Sequence, residues 1–255
     1  MSLLISTPAA LASEFHPYNG RCWRVVEAQH QVSTLKLVDT LDEQAVLEEL
    51  IEATKPPVPP ECRGLHFLLA TPFRYGAVYP HGSRFRRAGR TLGVYYAAEA
   101  PETAIAETAF YRLLFFAESP DIPWPNNAAE FTAFSAEMAS IAALDLTMPP
   151  LDLDVAAWTD LTNYAPCQTL ADAARDAGGE IIRYRSVRDP QSGANLAVLT
   201  CAAFAEQQPG RRQSWHLRLS ASGVQALCEA PRMRLEFPRD AFAADPRIAG
   251  LKWDR

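Results

Sequence analysis

Residues 91–98, TLGVYYAA, are followed almost at once by PETAIAETAFYRLLFF, and this junction constrains the fold more than any other stretch. The first segment has strand composition. With a two-residue period Leu92, Val94 and Tyr96 face one way and Gly93 and Tyr95 the other, which puts Tyr96 near a strand end. Pro101 is well placed as the first residue of a helix, because its missing N–H is one that a helix start leaves unpaired anyway. At helical spacing Thr103, Glu107, Phe110 or Tyr111, and Leu114 share a side. A carboxylate on a face of small and apolar groups is expected to be a partly buried acid.

Around this junction helices and strands mix. Residues 21–40 suit one or two strands, and Thr40 with Glu43 stands in capping-box spacing. Val46, Leu47, Leu50 and Ile51 then recur at helical intervals until Lys55 meets the rigid connector KPPVPP. Residues 64–79 read as a strand and a turn leading into an Arg-rich loop, HGSRFRRAGR, and residues 118–165 as an irregular insertion with short elements. A helix from about Thr169 to Ala177, stopped by Gly178 and Gly179, leads to a hairpin of EIIRYRSV and LAVLTCAAF around DPQSGAN. The last 45 residues hold two or three more strands. Without a regular βαβ alternation, an α+β fold is expected rather than a doubly wound sheet. It is read as one domain: a core at 61–204, an N-terminal extension at 1–60 packing on it, and a β-rich C-terminal extension at 205–255.

Composition narrows the partners. Hydrophobic residues at 48% and charged ones at 21% supply a real core and no case for disorder. A net charge of −6 opposes attraction to a phosphate backbone, so nucleic acid is not an expected partner. Cys22, Cys62, Cys167, Cys201 and Cys228 are odd in number, far apart and without a CxxC pair, which predicts reduced thiols and a cytoplasmic protein. No Lys or Arg precedes the short apolar N-terminal stretch, and no window reaches the roughly 20 apolar residues of a membrane span, so a soluble chain without a signal peptide is expected.

Chemistry has several candidate carriers, each with an ordinary alternative. Glu107 either pairs with a buried arginine or serves as a reaction-centre anion. Arg84, Arg86, Arg87 and Arg90 offer guanidinium forks for phosphate oxygens, or simply form a basic, solvated loop. Tyr95 and Tyr96 offer a stacking plane or plain strand packing, and Ser186 a hydrogen bond to a sugar or carboxamide or a strand-to-turn residue. The five histidines have no metal-site spacing, so no metal is expected, and neither a Walker loop nor GxGxxG is present.

Together, GSRFRRAGRTLGVYYAAEAPETAIAE resembles the heart of the RES-domain family, in which an Arg loop, a Tyr-ending strand and an Ala-rich helix carrying Glu follow one another. The matching residues are Arg84, Tyr96 and Glu107, and the later RYRSV and GANLAVL place Ser186 and Asn195. Where the family loop often has Asn, this chain has Arg86, which adds a charge. The resemblance implies an ADP-ribosyltransferase-like fold, a mixed sheet flanked by helices. It also implies a toxin of a toxin–antitoxin pair that destroys NAD by hydrolysis or phosphorolysis; a protein ADP-ribosyltransferase and a catalytically silent interaction domain are the alternatives. On that resemblance Glu107 serves the ribosyl cation, Arg84 the pyrophosphate, Tyr96 the nicotinamide ring and Ser186 its orientation, with Arg86 and Asn195 also binding NAD. It further implies an Xre-like antitoxin partner that covers the cleft; self-association is left open.

Overall fold

In the computed structural model, which describes residues 8–28, 37–75, 82–89 and 92–255, the chain opens with a short helix α1 (Pro8–Ala12) and strand β1 (His16–Glu27). The capping box forms: Thr40 Oγ1 accepts from the Glu43 amide at 3.2 Å, and the Glu43 carboxylate accepts from the Thr40 amide at 3.1 Å. It starts helix α2 (Leu41–Thr54), which stops at Lys55 before the prolines. Val46 and Leu50 on this helix stay 56% and 60% exposed, so its apolar stripe does not join the core.

Residues 64–79 correct the sequence reading, because the described part forms helix α3 (Phe67–Arg74) instead of a strand. Leu69, Ala70 and Phe73 are its buried residues, a spacing that one face of a helix presents to a core and one face of a strand does not. His66 caps it, Nδ1 accepting from the Leu68 amide at 3.2 Å. The expected turn at 76–79, the further strand in 29–36, and His30, His81 and Arg90 lie outside the described residues. Strand β2 (Tyr95–Ala98) then leads to helix α4 (Pro101–Glu118), with Pro101 at its first position as the sequence predicts.

A larger correction concerns 118–165. This stretch is no irregular insertion: it contains β3 (Ala129–Asp145), a strand of 17 residues. After it come short helix α5 (Val155–Trp158) and helix α6 (Ala165–Asp176), which starts before the expected Thr169 and ends ahead of Gly178 at φ 84°. The expected hairpin forms with shorter strands than read, β4 (Ile181–Arg185) and β5 (Ala194–Val198), antiparallel from Ile181↔Val198 to Arg185↔Ala194, and Cys201–Ala203, read as the end of the second strand, is a 3-10 turn instead. Strands β6 (Arg212–Ser220), β7 (Gly223–Cys228) and β8 (Met233–Pro238) and a terminal turn of helix α7 (Pro246–Ala249) complete the chain.

One edge of β3 pairs with β1 from His16↔Ala143 to Glu27↔Phe131, while its other edge takes β6 along its first half and β4, in parallel, at its end. The pairings β1–β2–β5–β4–β3 return to β1, and β6–β7–β8 continue from β3. The α+β expectation is therefore met by one mixed sheet with helices packed on it, to which β1 and β6–β8 belong as fully as the middle of the chain.

The thiol expectation is corrected as well. Cys62 and Cys201 form a disulfide with their Cα atoms 5.5 Å apart. They sit on the 3-10 turns Pro60–Cys62 and Cys201–Ala203, which are 139 residues apart in sequence and meet only in the fold, so spacing carries no sign of them. The cytoplasmic reading loses the support it drew from reduced thiols. Cys22, Cys167 and Cys228 are free and buried. No helix among the described residues is long and apolar enough to cross a membrane.

Candidate active site

A cavity of about 430 Å³ is walled by β1 (Trp23, Arg24, Val25), β2 (Tyr96, Ala97, Ala98) and α4 (Ala104, Glu107, Thr108, Tyr111), and bordered by Arg84, Arg188 and Asn195. That size suits a small-molecule site.

Glu107 is held from one side. Its Oε1 accepts two hydrogen bonds of 2.7 Å, from Ser186 Oγ and from Asn195 Nδ2. Both donors belong to the β4–β5 hairpin, Ser186 just past β4 and Asn195 at the start of β5, so the hairpin register places them together. The Ser186 oxygen itself accepts from the Arg188 amide at 3.2 Å and the Asp189 amide at 3.0 Å. With its lone pairs so occupied, the hydroxyl proton points to the carboxylate. Among the described residues Oε2 of Glu107 has no hydrogen-bond donor. Asn195 is 2% exposed, and its Oδ1 is buried without a partner among the described residues.

The connecting turn is locked onto α4 by Thr103 Oγ1, which donates to Asp189 Oδ2 at 2.7 Å, while the Gly193 amide donates to the same oxygen at 3.1 Å. A Cβ at Gly193 would lie 2.2 Å from Thr103 Oγ1 and 2.7 Å from Asp189 Oδ2. Gly193→Ala is thus expected to force the turn away from α4, costing about 1–3 kcal/mol as overpacking does. Thermal unfolding followed by circular dichroism checks this, and an unchanged midpoint would show that the turn yields freely.

Arg84 differs from its sequence reading. Instead of an open fork on an exposed loop, it is 8% exposed, its Nη1 donating to the Trp158 carbonyl at 2.7 Å and its Nη2 to the Asp160 carbonyl at 2.8 Å. The guanidinium also lies 4.7 Å from the centre of the Tyr164 ring. It borders the cavity as a brace between the loop and the α5–α6 connection. The Tyr96 hydroxyl secures the same loop, accepting from the Phe85 amide at 3.0 Å and sharing a 2.7 Å hydrogen bond with Ser83 Oγ. Burial pushes its phenol above the ordinary value, so it stays protonated. Arg86 turns its backbone to this structure, its carbonyl accepting from the Ser83 amide at 2.8 Å and Gln168 Nε2 at 3.2 Å. The fold thus gathers Arg84, Tyr96, Glu107 and Asn195 around one cavity, with Ser186 buried behind Glu107 and joined to it by its hydrogen bond, and neither Ser186 nor Arg86 is among the lining residues.

Sequence reasoning missed Arg24. On β1, its Nη1 donates to the Tyr96 carbonyl at 2.7 Å and its guanidinium lies 5.1 Å from the centre of the Tyr95 ring. Among the described residues no carboxylate pairs with it, whereas Arg112 has Glu27 at 2.8 Å and Arg188 has Asp245 at 2.7 Å. Burial pulls Arg24 below the usual arginine value. A desolvated cation without a carboxylate gains most from an anionic ligand. Its only sequence signal is a charge inside the apolar run CWRVV. Among the described residues, no group of three or more His, Cys, Asp or Glu side chains is placed to share a metal ion.

The RES domain model matches residues 58–220, well over half of the chain, and this span includes Arg84, Tyr96, Glu107, Ser186 and Asn195 but not Arg24. No curated protein matches. Among solved structures there is a likeness to the crystal structure of the M. tuberculosis MbcT-MbcA toxin-antitoxin complex, at 15% identity and a TM-score of 0.46, covering 82% of this chain and 92% of that one.

Proposed function

This chain belongs to the RES-domain family, and from that premise we propose that it cleaves the nicotinamide–ribose bond of NAD in the cavity beside Glu107. The carrying observation is the company Glu107 keeps. The sequence left open whether this acid neutralises a buried arginine, and its hydrogen bonds come instead from two neutral donors, Ser186 and Asn195. Such donors orient a carboxylate without cancelling its charge. Loss of nicotinamide leaves an oxocarbenium-like ribose, and an oriented anion at a partly desolvated wall stabilises that cation far better than water does.

Placement supports the remaining roles. Arg24 takes the diphosphate, Tyr96 presents its ring to the nicotinamide, and Arg84 keeps the loop that carries Ser83 and Phe85 in register. Ser186 contributes orientation rather than nucleophilicity, since the lone pairs of its oxygen are taken by the Arg188 and Asp189 amides. Incubating the purified chain with NAD and identifying products by mass spectrometry tests this. ADP-ribose names water as acceptor, ADP-ribose-1″-phosphate names phosphate, and a mass gain on protein names transfer; intact NAD beside folded protein overturns the reading.

A chain that consumes NAD also needs restraint in its own cell. We propose a small Xre-like antitoxin that covers the cavity in the cytoplasm and, unlike this acidic chain, carries any DNA-binding role. Expression of this chain alone in a bacterial host is expected to lower cellular NAD and stop growth, and co-expression of such a partner to restore both. Harmless high-level expression with NAD unchanged would count against a toxin.

A further inference from the structure

Asp245 lies beyond the residues that the family model matches, and its side chain is only 1% exposed. A carboxylate so deep requires cations and donors around it. Arg188 Nη1 approaches its Oδ2 at 2.7 Å, Arg247 Nη2 approaches the same oxygen at 2.9 Å, and Arg247 Nε and amide donate to Oδ1 at 3.0 and 2.9 Å. Burial raises the Asp245 carboxyl, but the hydrogen bonds from Arg247 and the charge of Arg188 outweigh it and leave the group below the ordinary carboxylate value. It is therefore ionised at neutral pH.

Arg188 is equally enclosed, its side chain 3% exposed, its guanidinium 3.8 Å from the centre of the Phe110 ring on α4, and its Nη2 donating to the Leu161 carbonyl at 3.1 Å. The backbone of this residue gives one of the two amides that fix the Ser186 oxygen. Holding the Arg188 side chain therefore holds the turn that aims the Ser186 proton at Glu107. The cluster is not needed to fasten the C-terminal segment, because Phe242, Ile248 and Leu251 already sit in the core with Phe110. Buried ion pairs are in any case poor contributors to stability compared with apolar packing of the same volume.

We infer that Asp245 is a positioning residue for the candidate active site, acting through Arg188 on the 186–189 turn and so on the hydrogen bond from Ser186 to Glu107. The inference rests on the role proposed for Glu107, and it extends the working site to a segment outside the family match.

Two kinds of variant of the full chain test it, each read by its unfolding midpoint, NAD turnover and amide hydrogen exchange. Asp245→Asn keeps shape and removes the charge. It is expected to speed exchange at Arg188 and Asp189 and to lower kcat for NAD loss about tenfold or more with KM little changed, as small misplacements of a reacting group do. Asp245→Glu is expected to recover part of that loss. Wild-type exchange and kcat in folded Asp245→Asn overturn the inference. Should Asp245→Asn not fold, the apolar pair Arg188→Met with Asp245→Leu decides: a stable protein with tenfold lower kcat supports positioning, and a stable protein with full kcat refutes it. If the wild-type chain leaves NAD untouched, the proposed reaction fails. The exchange measurement then judges the link from Asp245 to the turn by itself, faster exchange at Arg188 and Asp189 upholding it and unchanged exchange refuting it.

Discussion

Glu107→Gln is expected to slow NAD consumption by about a hundred- to a thousandfold while the protein unfolds at nearly the wild-type temperature. The amide retains an oxygen that can accept from Ser186 Oγ and Asn195 Nδ2, the two donors that Glu107 Oε1 serves at 2.7 Å, so the local hydrogen bonding survives. What disappears is the negative charge facing the developing ribosyl cation. Removing one preorganised electrostatic partner costs about 3–4 kcal/mol of transition-state stabilisation, and each 1.4 kcal/mol is tenfold in rate. Substrate affinity should change much less than kcat, because the ground state carries its positive charge on the nicotinamide ring and not on the ribose carbon. NAD loss followed by chromatography, beside thermal melts of both proteins, makes the comparison. Turnover near that of the wild type would remove Glu107 from the chemistry and leave it a structural acid.

The parts of this molecule that were legible in the sequence are those whose cause is local. The Thr40–Glu43 box, Pro101 at a helix start, Gly178 after a helix end and the β4–β5 hairpin each depend on residues a few positions apart, and each is present, the hairpin with shorter strands than read. Residues 64–79 failed because GLHFLLATPF is a short apolar run, which periodicity cannot divide between helix and strand. Strand β3 failed for a different reason. AEFTAFSAEMASIAALD is rich in Ala and Ser and poor in β-branched residues, and what makes it a strand is pairing with β1, β4 and β6, which come from the two ends and the middle of the chain.

The site divides along the same line. Glu107 stood out as a charge on a small-residue helix face, and the family resemblance placed Ser186 and Asn195 on segments read as one hairpin, so their meeting needed only that hairpin to pack on α4. Arg24 and Asp245 had no such context. Arg24 becomes a cavity cation only once β1 lies beside β2, a contact joining Trp23 to Ala98 across 75 positions of sequence. Asp245 is tied to the site through Arg188, which the chain places far upstream of it.

That division sets up a comparison between two arginines. Arg24→Gln, made in the Glu107→Gln background so that NAD is not consumed during titration, is expected to weaken NAD binding about a hundredfold. Truncating one partner of a hydrogen-bonded charge pair costs roughly 2–5 kcal/mol, and no other cation among the described residues lining the cavity offers its guanidinium to an incoming anion so fully. Arg112 is engaged by Glu27, Arg188 by Asp245, and Arg84 by the carbonyls of Trp158 and Asp160. Arg84→Lys is expected to behave in the opposite sense. An ammonium is a single point on a flexible stem and cannot reproduce a planar fork that reaches two carbonyls at once, so the loop bearing Ser83 and Phe85 should loosen and the unfolding temperature fall. NAD affinity would then change only as far as Tyr96 shifts. Calorimetric titration and thermal melts of the two variants separate these roles. Affinity lost in Arg84→Lys but kept in Arg24→Gln would return the diphosphate to the arginine that the sequence pattern singles out.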